Sequence, residues 1–283
     1  MKRLKRKHII LIIILASALI YILISHITIS TKTYIVTSPL LNEGSSIKII
    51  LIADLHNSIF GRNQSILINK IMDINPDLII MAGDIYDSVS KMTGVSLLLS
   101  GIAGTAPIYF VTGNHEYLGR NIRAIRDELI SYGVIILSDN YEIININNNE
   151  IVIAGTEDPY KRFYETPNYN QIGSMEMAFR ELDEYSLFKI FTAHRPEMIN
   201  EYLKFSFNLI LTGHTHGGQI RIPFIMNGLF ASNQGFFPKY AGGIYLHDKV
   251  THIISRGLSI NHPRIPRIFN PPELVSIILE FER

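Results

Sequence analysis

Five times between residues 47 and 216, a short apolar run stops abruptly at residues able to bind a metal. The run 47–53 (IKIILIA) is followed by Asp54 and His56, and 77–83 by Asp84 and Asp87. The run 107–113 leads into Asn114, His115 and Glu116; 188–193 ends before His194, and 207–213 before His214 and His216. Runs this short and rich in Ile and other apolar residues read as strands buried on both faces. Between them the segments 64–74, 122–131, 175–182 and 196–203 have helical spacing; in the first, Ile66, Ile71 and Ile74 fall on related faces. Strands alternating with helices predict an α/β fold, and open α/β sheets place their sites at the C-terminal ends of the strands. Further strands are predicted at 135–137, 142–147 and 150–156, with an Asn-rich turn at 147–149. After Gly217 the chain becomes rich in Gly and Pro, and 242–248, 250–255 and 274–281 read as a closing antiparallel set.

Each polar cluster taken alone has an ordinary reading. An Asp after a strand more often caps a helix, Gly-Asn is usually a turn, and His-x-His can be one face of a strand. Together, in this order and all at strand ends, they favour a metal site. Of the chain's 10 histidines, His56, His115, His194, His214 and His216 lie in these clusters. The chain has no Cys, which excludes disulfides and thiolate ligands. The remaining donors are imidazole, carboxylate and amide oxygen, which suit two divalent ions of the Mn, Fe or Zn type.

The N-terminus is of a different character. Lys2, Arg3, Lys5, Arg6 and Lys7 precede an apolar run, residues 8–24, that contains no Asp, Glu, Lys or Arg. A helix of that length rises roughly 25 Å, close to the hydrocarbon thickness of a bilayer once its flanks are added. The run exceeds a usual signal-peptide core, and no small-x-small cleavage site follows it. Residues 1–30 are therefore read as a basic tail and retained membrane anchor (residues 8–25 in the bilayer), 31–46 as a linker and 47–283 as the catalytic domain. The positive-inside rule places the tail in the cytoplasm and the domain outside it, single-pass at the cell membrane. The formal net charge of +1 conceals an acidic remainder once the five tail cations are set aside, which argues against nucleic acid as a partner.

The motifs D-x-H (54–56), G-D-x-x-D (83–87), G-N-H-E (113–116), a lone His194 and G-H-x-H (213–216) together resemble the signature of the calcineurin-like metallophosphoesterases. The N-terminal anchor and the string GHTHGGQIRIP (213–223) are most similar to the membrane-associated bacterial YkuE-like phosphodiesterases. The resemblance implies a four-layer α/β/β/α sandwich with a dinuclear site. By motif, Asp54, His56 and His216 would bind one ion, Asn114, His194 and His214 the other, and Asp84 would bridge them. It further implies attack by a water activated between the ions, with His115 as general acid or phosphate-stabilising group and Asp87 orienting it. Gly83, Gly113 and Gly213 would let the backbone turn. The protein Ser/Thr phosphatases of that superfamily carry Arg where this chain has Ser88 and Asp where it has Glu116, so that activity is not expected. Arg62, Arg195 and Arg221 are the candidates for meeting phosphate charge.

These features point to hydrolysis of a phosphodiester or pyrophosphate bond in a phosphorylated substrate, lipid-linked or part of the cell envelope. A UDP-2,3-diacylglucosamine pyrophosphatase-like enzyme of lipid A synthesis is an alternative, although its nucleotide substrate conflicts with an extracytoplasmic domain. A non-catalytic metal-binding scaffold is another, although such proteins lose ligands and none is missing here. The segment 222–240 is unusually rich in Phe and Gly; it reads either as a loop packed on the core or as a lip facing membrane or acyl chains.

Overall fold

Two six-stranded sheets pack face to face in the computed structural model, which describes residues 7–10, 12–13, 28–87, 92–119, 121–260 and 266–282. The first sheet takes β1 (Ser30–Ser38), β2 (Ser46–Ile52), β3 (Leu78–Ala82), β4 (Ile108–Val111) and β5 (Ile135–Ile136). The second takes β6 (Asn140–Ile146), β7 (Asn149–Gly155), β8 (Phe188–Thr192) and β9 (Leu209–Thr212). A small hairpin of β10 (Phe230–Ala231) and β11 (Gly235–Phe236) comes before β12 (Gly243–His247) and β13 (Val250–Ile254), which extend the second sheet. The last strand, β14 (Glu273–Phe281), returns to the first, giving the orders β1-β14-β2-β3-β4-β5 and β12-β13-β9-β8-β7-β6.

The apolar runs are apolar because both faces of these strands are covered. Along β2, Ile47, Ile49 and Leu51 point between the sheets, where they meet Leu209, Leu211 and Ile253. Ile50 and Ile52 point the other way, onto helices, following the two-residue period of a strand. The helices are α1 (Ser65–Ile74), α2 (Thr93–Ile102), α3 (Asn114–Leu118), α4 (Ile122–Ser131), α5 (Lys161–Tyr164), α6 (Gln171–Phe179) and α7 (Ile199–Tyr202). Leu67, Ile71, Leu98, Leu99, Ile125 and Leu129 of α1, α2 and α4 cover the first sheet. Met175, Phe179, Ile199 and Tyr202 of α6 and α7 cover the second. Three apolar cores between four layers follow from this, as the resemblance implies.

β2 to β5 run parallel, and so do β7, β8, β9 and β13. Their C-terminal ends therefore converge along one edge of the sandwich. The expected turn at 147–149 is a two-residue hairpin, with Ile146 opposite Asn149 and both Asn147 (φ 50°) and Asn148 (φ 63°) left-handed. Asn accepts that conformation more readily than most residues.

Two readings are corrected. Residues 31–46 are not a linker throughout: Ser30–Ser38 is β1, paired in parallel with β14 from Ser30 opposite Glu273 to Ser38 opposite Phe281. The alternation is present, with Tyr34, Val36 and Ser38 buried and Ile35 and Thr37 exposed. Its partner stands far along the chain, so nothing nearby in sequence reveals the pairing. Nor do the last three strands form one antiparallel set. β12 and β13 pair antiparallel in the second sheet, while β14 lies in the first, antiparallel to β2 and parallel to β1. The expected anchor, residues 8–25, falls largely outside the described residues, among which no helix is long and apolar enough to cross a membrane.

Candidate metal centre

At the converging edge the chain leaves each strand in a tight turn. Asp54 (φ 50°), His56 (φ 46°), Asp84 (φ 51°), His214 (φ 73°) and His216 (φ 49°) all adopt left-handed backbone conformations. For residues with a Cβ these cost roughly 1–3 kcal/mol each and persist only where surrounding structure enforces them. Here backbone hydrogen bonds between neighbouring loops do so. The Asp54 N–H donates to Gly83 O at 3.0 Å, the His56 N–H to Asp84 O at 3.1 Å and the Gly213 N–H to His194 O at 3.0 Å. Gly113 serves a different purpose from the one expected, since its φ of −104° suits any residue. A Cβ there would lie 2.2 Å from Asp84 Oδ1, so the position is held by space.

These turns bring the strand-end donors together. Asp54, His56 and His216 offer ligand atoms within 4.8 Å of one another, and so do Asp84, His194 and His214. His56 Nε2 lies 3.7 Å from Asp84 Oδ2, which is also 3.1 Å from His194 Nε2, so one carboxylate faces both groups. His216 Nε2 lies 3.6 Å from Asp54 Oδ1. Asn114 lines the same cavity, of about 140 Å³, with Asp84, His115, His214 and His216.

The donor set fits divalent ions. His194 Nε2 and His214 Nδ1 point at each other across 3.1 Å, and two nitrogens each about 2.1 Å from a shared ion are separated by roughly that much. Their other nitrogens are committed: His194 Nδ1 to Ala82 O at 2.8 Å and His214 Nε2 to Asn233 Oδ1 at 2.8 Å. Both partners are carbonyl oxygens, so each ring donates there and keeps its inward nitrogen for a ligand. Among the described residues Asn114 Oδ1 is buried with no hydrogen-bond partner, a costly state for an acceptor that a cation relieves. The electrostatics agree. Burial opposes a charge on His194, but adjacent Asp84 raises its pKa to about 10. Burial and the His194 charge lower His214 to about 3. Burial also raises Asp54 to about 7, while Asp84, equally buried, is held well below the usual carboxylate range by His194, His115 and His56. The buried Asp84, which stays ionised, thus draws positive charge to where the rings converge.

The pattern of the calcineurin-like phosphoesterases matches residues 47–218. The chain belongs to that family. Among curated proteins this calcineurin-like phosphoesterase is 26% identical over 260 residues to the uncharacterized metallophosphoesterase YkuE of Bacillus subtilis, covering 89% of this chain and 86% of that one. It is 28% identical over 194 residues to phosphodiesterase YaeI of Escherichia coli, covering 65% and 66%. A transmembrane protein with metallophosphoesterase domain from Danio rerio is 26% identical over 198 residues, covering 66% of this chain and only 45% of the longer relative. Among solved structures, a 5'-nucleotidase precursor from Thermus thermophilus superposes with a TM-score of 0.51 at 15% identity, over 75% of this chain and 49% of that one. The last likeness is one of fold. The matched domain, residues 47–218, is that of a metallophosphoesterase, and the chain spans less than half the length of some curated relatives it matches.

Around the donors, the phosphoesterase site has supports whose roles the motifs do not announce. Glu116, fully buried, accepts from the backbone N–H groups of Asp84, Ile85, Tyr86 and Gly113 at 2.7–3.0 Å. Burial raises its pKa, and these four donors stabilise the ionised form against it. It ties the loop after β3 to the loop after β4. Asn233 joins His214 to Arg195, whose Nη1 donates to the same Oδ1 at 3.0 Å. Arg195 in turn grips Asp158 through Nε at 2.6 Å and Nη2 at 3.1 Å.

Of the three arginines expected to meet phosphate, then, only Arg195 reaches the centre, and its guanidinium is already engaged by Asp158. Arg62 stands exposed before α1, and Arg221 turns to Asn227, bonding its O at 3.0 Å and Oδ1 at 2.9 Å. Asp87, expected to orient His115, stands with Oδ2 4.0 Å from Nδ1 of His56. His115 itself packs edge-on against His56, ring centroids 4.6 Å apart, and lines the cavity. Ser88 lies outside the described residues. Asp158 was findable: it follows the apolar run of β7 as the other donors follow theirs. Asn233 carries no such signal, because it sits in a Gly-rich loop with no motif around it.

Proposed function

We propose that this chain hydrolyses a phosphodiester or pyrophosphate bond at a membrane surface, using two divalent ions. Asp54, His56 and His216 would hold one, Asn114, His194 and His214 the other, with Asp84 between them. The observation that carries this reading is Asp84 Oδ2, which lies within 3.7 Å of His56 on one side and 3.1 Å of His194 on the other. When bound, such a pair of ions acidifies water and offsets charge on the phosphoryl oxygens. The chain's own residues do the rest. The His115 N–H of the backbone donates to Asp84 Oδ1 at 2.8 Å, fixing the shared carboxylate. The His115 ring lines the cavity beside His56 and Asp84, suited to giving a proton to the leaving oxygen. A space of about 140 Å³ takes a phosphoryl group and leaves the bulk of the substrate outside, along Phe230, Ala231 and Ser232.

The membrane part of the proposal is supported by the uncharged run 8–24 behind five cations, and by a relative named as a transmembrane protein. With the basic tail in the cytoplasm the domain stands outside it, where a lipid-linked or envelope phosphoester is the accessible substrate. Protease treatment of intact cells tests this: a domain that is digested only after lysis overturns the orientation.

Hydrolysis is tested with the purified full chain in detergent, Mn²⁺ and an activated aryl phosphodiester. Cleavage that stops on chelation and in Asp84→Ala and His214→Ala supports the enzyme. Cleavage indifferent to all three refutes it, and no cleavage by the metal-loaded protein on a panel of diesters and pyrophosphates leaves the scaffold reading.

A further inference from the structure

The loop from Gln219 to Gly242 performs two tasks at once. Inward, it supplies Asn233 to His214 and places Phe230, Ala231 and Ser232 on the cavity wall. Outward, it presents large apolar side chains with no cover among the described residues: Phe224 is fully exposed, Ile225 82% and Phe236 and Phe237 70% each. Single exposed apolar residues are ordinary on protein surfaces, but a group of four on one loop beside a site marks an interaction surface. The loop is held in shape by its backbone. Ile222 and Met226 exchange both hydrogen bonds, at 3.0 and 2.8 Å, and the Phe237 N–H donates to Leu229 O at 2.8 Å.

The identity of the covering partner follows from where the chain enters the fold. Ser30, the first residue of β1, donates its N–H to Pro272 O at 2.8 Å. The segment 268–272 then runs directly beneath the loop: the Arg221 N–H donates to Ile268 O at 2.9 Å, and Asn270 Nδ2 to His216 O at 2.7 Å. The chain therefore enters the domain, at Ser30, on the edge that carries the metal centre and the exposed loop, not at the opposite end of the sandwich. Charge agrees as well. From Tyr202 to His247 the sequence contains no Asp or Glu, while Arg221 and Lys239 flank the apolar tip. A segment that carries exposed apolar side chains and cations but no carboxylate of its own suits the headgroup layer of an anionic bilayer.

We propose that Phe224, Ile225, Phe236 and Phe237 form a lip that inserts into the bilayer carrying the N-terminal segment, so that the metal centre opens onto the lipid headgroup layer. This rests on the anchored reading above. It narrows the substrate to a phosphoester presented at the membrane surface, with its apolar part left in the lipid.

The chain has no Trp, so one introduced Trp reports alone. The full chain carrying Phe224→Trp or Phe237→Trp is reconstituted into phosphatidylcholine/phosphatidylglycerol vesicles with brominated acyl chains. Ile130→Trp, 62% exposed at the C-terminal end of α4, away from the centre, is the control. Both lip variants should emit at shorter wavelength and lose about half their intensity to the bromines, as expected at a depth of roughly 5–10 Å, and the control should be unaffected. Vesicle-bound protein whose lip Trp is quenched by aqueous acrylamide overturns the lip and leaves the anchor standing. A blue-shifted Trp untouched by bromine overturns it in favour of protein contact. Protein that does not float with the vesicles overturns lip and anchor together. Because hydrolysis in detergent is measured separately, none of these outcomes is confused with failure of the enzyme reading.

Discussion

The first sheet brings mainly oxygens to the centre, from Asp54, Asp84 and Asn114, with His56 as its one expected imidazole ligand. The second brings only imidazoles, from His194, His214 and His216. The two sets are also held differently. On the first sheet the backbone does the work: Glu116 binds four N–H groups across two loops, and the His214 N–H donates to both Asp54 oxygens, at 3.1 and 2.9 Å. On the second, His194 and His214 each need a specific partner behind the ring, Ala82 O and Asn233 Oδ1. The reason lies in the chemistry of the donors. A carboxylate presents lone pairs in any orientation, whereas an imidazole offers the correct nitrogen only when its other one is committed. Oxygen donors need a rigid loop; nitrogen donors need a second residue.

The strongest test of this contrast compares the shared donor with an unshared one. Asp84→Ala should lose both metal ions and reduce diester hydrolysis by about 10³-fold or more, while His216→Ala should retain about one equivalent, both read by elemental analysis and turnover. Equal metal content in the two variants would remove Asp84 from its bridging place. His115→Asn should keep its metal and lose about 10²–10⁴-fold in rate, with the loss largest for poor leaving groups and smallest for activated aryl esters. A loss independent of the leaving group would exclude proton donation. Asn233→Ala should weaken metal binding by about 10- to 100-fold, and a competitive chelator titration would measure it. No change would mean that the His214 ring is oriented without help.

The smallest effect concerns a histidine of the second sheet outside the metal centre, whose Nε2 pairs with the Thr212 hydroxyl at 2.9 Å. His252 of β13 is fully buried, and burial followed by repulsion from His247 lowers its pKa to about 3. Below the ordinary value of about 6.5 the unfolded chain takes up a proton that the native ring refuses, so this group's contribution to stability falls as pH drops from 6.5 toward 3. At pH 5 the loss is about 2 kcal/mol. Urea unfolding at pH 5 and pH 8 should show a smaller pH dependence in His252→Gln than in the parent chain; an unchanged dependence would show that the ring charges in the native state.

Much of the site was legible because it is local. Every expected metal ligand follows an apolar run within three residues, and parallel strands put those positions on one edge. The helices at 64–74 and 122–131 were readable for the same reason, since apolar period is a property of neighbours in sequence. What escaped depends on distance. β1 looked like a linker because its only partner is β14, and the two late hairpin strands could not be separated from β14 by pattern alone. α2 lies over residues 93–102, where Gly94 and Gly101 dilute the helical signal. Asn233 and the engagement of Arg195 by Asp158 are juxtapositions of segments with no shared motif. The same holds for Arg62 and Arg221, whose positive charge was visible and whose direction was not.

The pairing of β1 with β14 has a consequence for biosynthesis. A strand made at the start of the domain must wait for Glu273–Phe281 to leave the ribosome before its edge is satisfied, and long-range closures of this kind are slow steps in folding. During that interval the exposed flanks of β1 and β2 are open to other chains. Loss of β14 by a stop before Glu273 would therefore do more than shorten the chain: it would make the waiting state permanent and leave two raw edges for aggregation or proteolysis.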